Sequence, residues 1–247
     1  MTKNIFISGG TSGIGKALVF KFAEKKYNIF FTYYSNIKVA KKISKELKIL
    51  NINHKYIKMD LNNISSIRNA FKKYYKKFKY LNYLISNANQ VPVRKKFLEL
   101  KDKEIKKNIN SFLVGNLIFI KNGLNLILKN KQKKNLGVIN ISSYSSLTGG
   151  KNIHLYSSAK SALNTLNKAL SIDFVNKKIK IKSVLPRYID TKTFRKNNNI
   201  KNQNDLIKFM KKKKISKIKN SNQFANFIYD IINNQNKFKK KQIIIYE

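Results

Sequence analysis

The 247-residue chain contains no cysteine, which removes disulfides, thiolate nucleophiles and cysteine metal sites from consideration. It has two histidines, His54 and His154, far apart and in no ligand-like spacing, so histidine metal chemistry is not expected either. A leading hydrophobic signal region is lacking, and no apolar run approaches the length of a membrane span; the expectation is a soluble, cytoplasmic protein without a membrane partner. Proline- and serine-rich linkers are absent as well, which favours a single domain over residues 1–247 with one sizeable core. Acidic residues are scarce. Eleven Asp and Glu face 53 Lys and Arg, a formal charge of +42. A charge this large raises nucleic acid as a partner, but only four of the basic residues are arginine, the better phosphate fork. The rest are lysines scattered among many Asn and Ile, a composition that reads as bias in the gene rather than a binding design. No specific nucleic-acid role is expected, only salt-sensitive solubility and non-specific polyanion binding.

What is present is a regular alternation of short β-branched runs and amphipathic stretches. Asn4 to Ser8 reads as a buried strand running into Ser8-Gly9-Gly10-Thr11-Ser12-Gly13-Ile14-Gly15, followed by helical spacing at Leu18, Val19, Phe22 and Ala23. Strand, glycine loop and helix form the context in which a helix N-terminus meets a dinucleotide pyrophosphate. Further strands are expected at 29–33, 55–59, 81–85, 138–141, 179–185 and 242–246. Helices are expected at 39–50, 64–78, 101–129, 156–175 and 223–233. The alternation predicts an α/β, Rossmann-like, doubly wound parallel sheet with helices on both faces.

The stretch from Gly137 to Lys160 carries the chemistry. Ser142 and Ser143 stand where a buried strand ends, the side of an open sheet at which ligands bind. Tyr156 and Lys160 lie four residues apart at the start of a helix, hence on one face about 5.4 Å apart along the axis. A neighbouring cation lowers a phenol pKa that is ordinarily ~10, making Tyr156 a proton donor and acceptor, with Ser143 placed to hold the same substrate oxygen.

With the glycine loop, these residues resemble the short-chain dehydrogenase/reductase (SDR) family in its shorter, single-domain branch. The loop is similar to the family's Thr-Gly-x-x-x-Gly-x-Gly, with Ser8 for the first Thr. The resemblance implies Tyr156 as acid/base, Lys160 as the residue that tunes it and holds the nicotinamide ribose, and Ser143 as the group that orients the carbonyl. It implies cofactor contacts from Gly9, Thr11, Ser12, Gly13, Ile14 and Gly15, from Ser35, from Asp60 and Leu61, from Asn87 and Ala88, and from Ile189 and Thr191. Asp60 reads equally as a helix cap. No acid follows the second strand to bind a ribose 2′-hydroxyl, and Ser35, Asn36 and Lys38 are placed to contact a 2′-phosphate. The lean is therefore to NADP, with NAD as the alternative.

Three positions depart from the family pattern. Asn89 replaces a glycine, and asparagine is expected to tolerate the left-handed turn. Arg187 replaces another glycine and reads as solvent-facing rather than as a contact to an anionic substrate. Phe112 stands at the position counted for a catalytic asparagine that bends its helix and relays protons; Asn110 is two residues away and rotated by roughly 200°. Residues 192–220 correspond to the family's mobile substrate lid. The implied activity is interconversion of a small-molecule ketone and a secondary alcohol. The alternatives are a 3-oxoacyl-[acyl-carrier-protein] reductase and a catalytically impaired binding or regulatory protein. The resemblance further implies a homodimer or homotetramer paired through the helices at 101–129 and 156–175.

Overall fold

The computed structural model describes residues 2–131, 135–233, 238 and 241–247. In chain order its elements are β1 (Asn4–Ile7), α1 (Gly13–Glu24), β2 (Asn28–Tyr33), α2 (Ile37–Ile49), β3 (His54–Lys58), α3 (Ile64–Phe78) and β4 (Tyr83–Ser86). Next come α4 (Asp102–Ile109), a π-helical turn (Asn110–Val114), α5 (Gly115–Leu128), β5 (Leu136–Ile141), a one-turn helix α6 (Ser145–Thr148) and α7 (His154–Asp173). The chain finishes with β6 (Ile179–Pro186), β7 (Ile189–Asp190), α8 (Lys192–Asn197), α9 (Gln203–Lys213), β8 (Lys219–Asn220), α10 (Ser221–Asn233) and β9 (Ile243–Tyr246).

Seven strands form one parallel sheet in the order β3-β2-β1-β4-β5-β6-β9, with β7 and β8 pairing separately. Alternate side chains of each buried strand feed opposite layers. Ile5, Ile7, Ile29 and Phe31 enter a core with α1, α2 and α10, whereas Phe6 and Phe30 enter one with α3 and α5. In the second layer Phe6 stacks on Tyr74 at 5.3 Å and meets Phe30 and Phe119 edge-on. The strand order reverses between β1 and β4, and a crevice opens at the carboxyl ends of those two strands.

The expected elements are present, with shifts that have physical causes. Helix α2 starts at Ile37 because the Asn36 side chain accepts from the Val39 N–H at 3.0 Å and caps it. The cap of α3 is Asn63, which accepts from Ser66 N at 2.9 Å. Asp60 is therefore not the cap; its carboxylate instead accepts from Asn62 N at 2.9 Å in a local turn. The single helix expected over 101–129 is interrupted by the π turn. Across that turn the run Asp102–Leu128 reaches the length and mean hydropathy, 1.5, of a membrane span, contrary to the expectation of no such run. It is a core helix: 56 % of its most apolar window is buried, and Phe119, Ile120, Leu124 and Ile127 pack under the sheet. Residues 192–220 contain two helices, α8 and α9; Thr191 begins the first by accepting from Phe194 N at 3.0 Å.

Candidate active site

At the head of the crevice, Ser8 joins the ends of β1 and β4. Its buried hydroxyl accepts from the backbone N–H groups of both Asn87 and Ala88 at 2.9 Å. The Asn87 amide returns the link by donating to the carbonyls of Ser8 at 3.0 Å and Gly9 at 3.2 Å. Gly15 sits beneath this knot, where a Cβ would fall on the Gly9 carbonyl oxygen and 2.6 Å from Asn87 Nδ2, so no larger residue fits. Gly13, with φ +47°, turns the chain into α1 and faces Thr191 across the crevice. Ser12 stands at the N-cap of α1, yet its side chain makes no capping bond, which leaves the first-turn N–H groups facing outward.

The other wall comes from β5, α7 and the loop after β6. Six of the sixteen predicted residues, Ile14, Asn87, Ser143, Tyr156, Ile189 and Thr191, line one cleft. Ser143 is held by its surroundings: its carbonyl accepts from Ser146 Oγ at 2.6 Å, and Asn164 donates to that hydroxyl at 2.7 Å. Tyr156 lies in the first turn of α7 and lines the cleft beside Ser143, whose hydroxyl pairs with that of Ser145 at 3.0 Å. Ser35 and Lys38 are exposed at the far end, beyond β2, and Asp60 and Leu61 follow β3.

The electrostatics differ from the expected lysine-lowered phenol. Burial raises the Tyr156 pKa, and the neighbouring Ser143 hydroxyl opposes that rise. Burial also pulls Lys160 down to about 7. A lysine that is half neutral at pH 7 exerts little pull on the phenol, and its Nζ is 5.8 Å from the Tyr156 ring centroid. That amine donates to the Ile141 carbonyl at 2.7 Å.

The remaining departures resolve individually. Phe112 is fully buried and meets Tyr156 edge-on, with centroids 5.5 Å apart at 86°. Asn110 begins the π turn but is exposed, so the irregularity does not bring it into the cleft. Asn89 is absent from the residues with positive φ, so its turn requires no glycine. Arg187 is exposed, as expected, and also lines the cleft. Sequence reasoning missed Asn116, whose amide donates to the carbonyls of Ser111 and Phe112 at 3.1 Å each; its signal was a lone amide in the apolar run GNLIFI. Among the described residues no three His, Asp or Glu side chains gather as a metal site.

A glycine turn at the switch point of a parallel sheet, opposite a Ser-Tyr pair with a buried lysine one turn on, defines a Rossmann-type oxidoreductase. The chain belongs to the short chain dehydrogenase family, whose model matches residues 3–202. It is therefore a dehydrogenase/reductase of a family that binds NAD or NADP. Among curated relatives, the uncharacterized oxidoreductase YohF of Escherichia coli (strain K12) is 26 % identical over 191 residues, covering 77 % of this chain and 74 % of the relative. The 3-oxoacyl-[acyl-carrier-protein] reductase FabG of Staphylococcus aureus is 22 % identical over 189 residues, covering 76 % and 75 %. A Burkholderia cenocepacia J2315 short chain dehydrogenase solved in complex with NADP superposes with a TM-score of 0.86 at 16 % identity, covering 99 % of this chain and 96 % of that one. The acetoin dehydrogenase YohF from Salmonella typhimurium gives 0.83 at 19 % identity, covering 100 % and 95 %.

Proposed function

We propose that the protein reduces a small ketone to a secondary alcohol with NADPH, using Tyr156 as the proton donor. The observation that carries this reading is the convergence of Ser143 and Tyr156 on the cleft that Ile14 of the glycine turn also lines. The residues fit a dinucleotide. Gly15 leaves no volume above the Gly9 carbonyl, and Ser12 leaves the α1 N–H groups free for phosphate oxygens. Asp60 retains a carboxylate oxygen for an adenine amine, and the Thr191 hydroxyl still has its proton to donate. No acid follows β2, and Ser35, the Asn36 amide N–H groups and Lys38 are available to a 2′-phosphate, which supports NADP over NAD.

The cofactor, when bound, supplies the hydride. The chain's own residues supply orientation and a proton. A phenol whose pKa is raised by burial is protonated at neutral pH, the form required to donate to an oxygen that gains charge. Ser143 donates a hydrogen bond to the same oxygen and stabilises that charge. Lys160, when protonated, favours the phenolate that remains. The lid is assigned to 192–220, steadied by edge-on rings of Tyr188, Phe194 and Phe209 and by the Asp190–Arg195 pair at 2.7 Å. A second reading, reduction of a 3-oxoacyl thioester on a carrier protein, draws on the likeness to FabG and on the basic charge, which complements an acidic carrier.

The test is binding of NADPH and NADH followed by fluorescence, then NADPH oxidation against ketones and a 3-oxoacyl thioester, for wild type and Tyr156→Phe. Loss of a proton donor predicts turnover lower by about 10²- to 10⁴-fold with cofactor binding retained. Undiminished turnover by Tyr156→Phe, or no cofactor binding by wild type, overturns the reading.

A further inference from the structure

Arg187 follows β6, its backbone fixed by an N–H bond to the Tyr246 carbonyl at 3.0 Å. Its guanidinium carbon lies 5.4 Å from the Tyr144 ring centroid and 5.9 Å from that of Tyr188. Both rings lie within cation–π range and attract the guanidinium without using its N–H groups, which remain free to donate. The nearest anion is Glu247, 3.8 Å away, and the two side chains are 39 % and 66 % exposed. That separation exceeds hydrogen-bond range, and so open an ion pair holds little energy, so an incoming anion displaces it readily. Among the described residues that line the cleft with Ser143 and Tyr156, Arg187 is the only one with a formal charge at neutral pH.

We propose that Arg187 determines substrate specificity and that the substrate is a carbonyl compound bearing a carboxylate, an oxo acid reduced to a hydroxy acid. The inference rests on the reductase reading above. One planar fork matches one carboxylate in bidentate fashion, and the single positive charge among the described lining residues balances a carboxylate but only half of a phosphate dianion. The chemical step is unchanged. The carbonyl carbon would gain one hydride, which carries its own electron pair, from the reduced nicotinamide; the C=O π pair moves to the oxygen, which gains the Tyr156 proton, and the carboxylate remains intact on Arg187. The chain's net positive charge raises the local concentration of any anion, so a test must separate this site from general attraction.

Two measurements do so at fixed ionic strength, on wild type, Arg187→Gln, Arg187→Lys and the remote surface variant Lys73→Gln. The first compares kcat/KM for short 2-, 3- and 4-oxo acids with their methyl esters. Wild type should favour at least one acid by about 10- to 100-fold, Arg187→Gln should bring that ratio close to one, chiefly through KM, and Arg187→Lys should restore part of it. The second is calorimetric binding of butanoate, which needs no turnover. Arg187→Gln should weaken it at least tenfold, and Lys73→Gln should leave it unchanged. If wild type reduces ketones but its acid-to-ester ratio does not respond to Arg187→Gln, the carboxylate site is wrong and the reductase reading stands. If nothing turns over yet butanoate binding depends on Arg187, the site stands and the reductase reading falls. Butanoate binding equal in wild type and Arg187→Gln overturns the inference in either case.

Discussion

Lys160→Met measures what a buried amine costs this fold. Lys160 is 1 % exposed, and its Nζ donates to the Ile141 carbonyl at 2.7 Å. Burial lowers its pKa from 10.5 to about 7. Between those two values the unfolded chain binds a proton there and the native chain largely does not. Stability therefore rises with pH across that window; the full penalty applies below pH 7 and is gone above 10.5. At about 1.36 kcal/mol per pKa unit, the penalty at pH 7 is about 4 kcal/mol. Methionine has a similar length and no charge, so it removes this penalty, but it leaves the Ile141 carbonyl without its partner at a cost of ~1–3 kcal/mol. The net expectation at pH 7 is a gain of about 1–3 kcal/mol, or roughly 2–12 °C in Tm, with turnover abolished. The pH trend is the sharper observable. The stability gap between variant and wild type should close by about 2.5 kcal/mol from pH 7.5 to 9.5, because only wild type carries the titrating amine. Urea unfolding of both proteins at constant ionic strength measures the gap, and the titration of the other lysines and tyrosines cancels in the difference. A gap that does not change with pH, or a variant less stable at every pH, refutes the reasoning.

Two further substitutions probe the scaffold. Gly15→Ala places a methyl group against the Gly9 carbonyl of the glycine turn and against Asn87 Nδ2, which ties that turn to the end of β4. It should cost about 1–3 kcal/mol in urea unfolding and weaken NADPH binding at least tenfold by fluorescence titration; unaltered binding would contradict the cradle. Asn116→Leu strips partners from the carbonyls of Ser111 and Phe112 and from the Ser86 hydroxyl, all buried around the π turn. At ~1–3 kcal/mol per orphaned group, with partial relaxation, the loss should be about 3–5 kcal/mol. A loss below about 1 kcal/mol would mean that the turn holds itself.

The sheet was legible because its strands are short β-branched runs separated by helical spacing, a signal that needs no knowledge of contacts. Ser143, Tyr156 and the glycine turn were legible for a similar reason: their spacing along strand and helix places them at one end of the sheet. What escaped depends on three-dimensional surroundings. Asp60 and Asn63 both suit an N-cap, and only the backbone path shows that Asn63 takes the Ser66 N–H while Asp60 turns to Asn62. Arg187 is exposed as read, but its place at the cleft escaped because no local pattern reveals that Tyr144, 43 positions earlier, comes within 5.4 Å of its guanidinium. The direction of the Tyr156 shift was missed because proximity to a lysine was weighed without the burial of both groups. The apolar length of 102–128 is hidden in the sequence because Asn116, Lys121, Asn122 and Asn125 interrupt the run.

Phe112 shows how a departure from a family pattern can preserve one role and change another. The bend expected of an asparagine at that position is present, because Gly115 N–H bonds back to the Asn110 carbonyl and skips a partner. The skipped register leaves the Ser111 and Phe112 carbonyls in need of donors, and the Asn116 amide provides both. A side-chain amide is thus retained one turn later, facing the backbone rather than the cleft, and position 112 is free to be apolar. Its ring then covers Tyr156 edge-on. An apolar cover deepens the desolvation that raises the phenol pKa and lowers that of the lysine, and both shifts act in one direction. They hold the phenol protonated at neutral pH, the form suited to donation. Under the proposed function, this favours reduction of the carbonyl near pH 7; oxidation of the alcohol, which needs the phenolate, is displaced to higher pH.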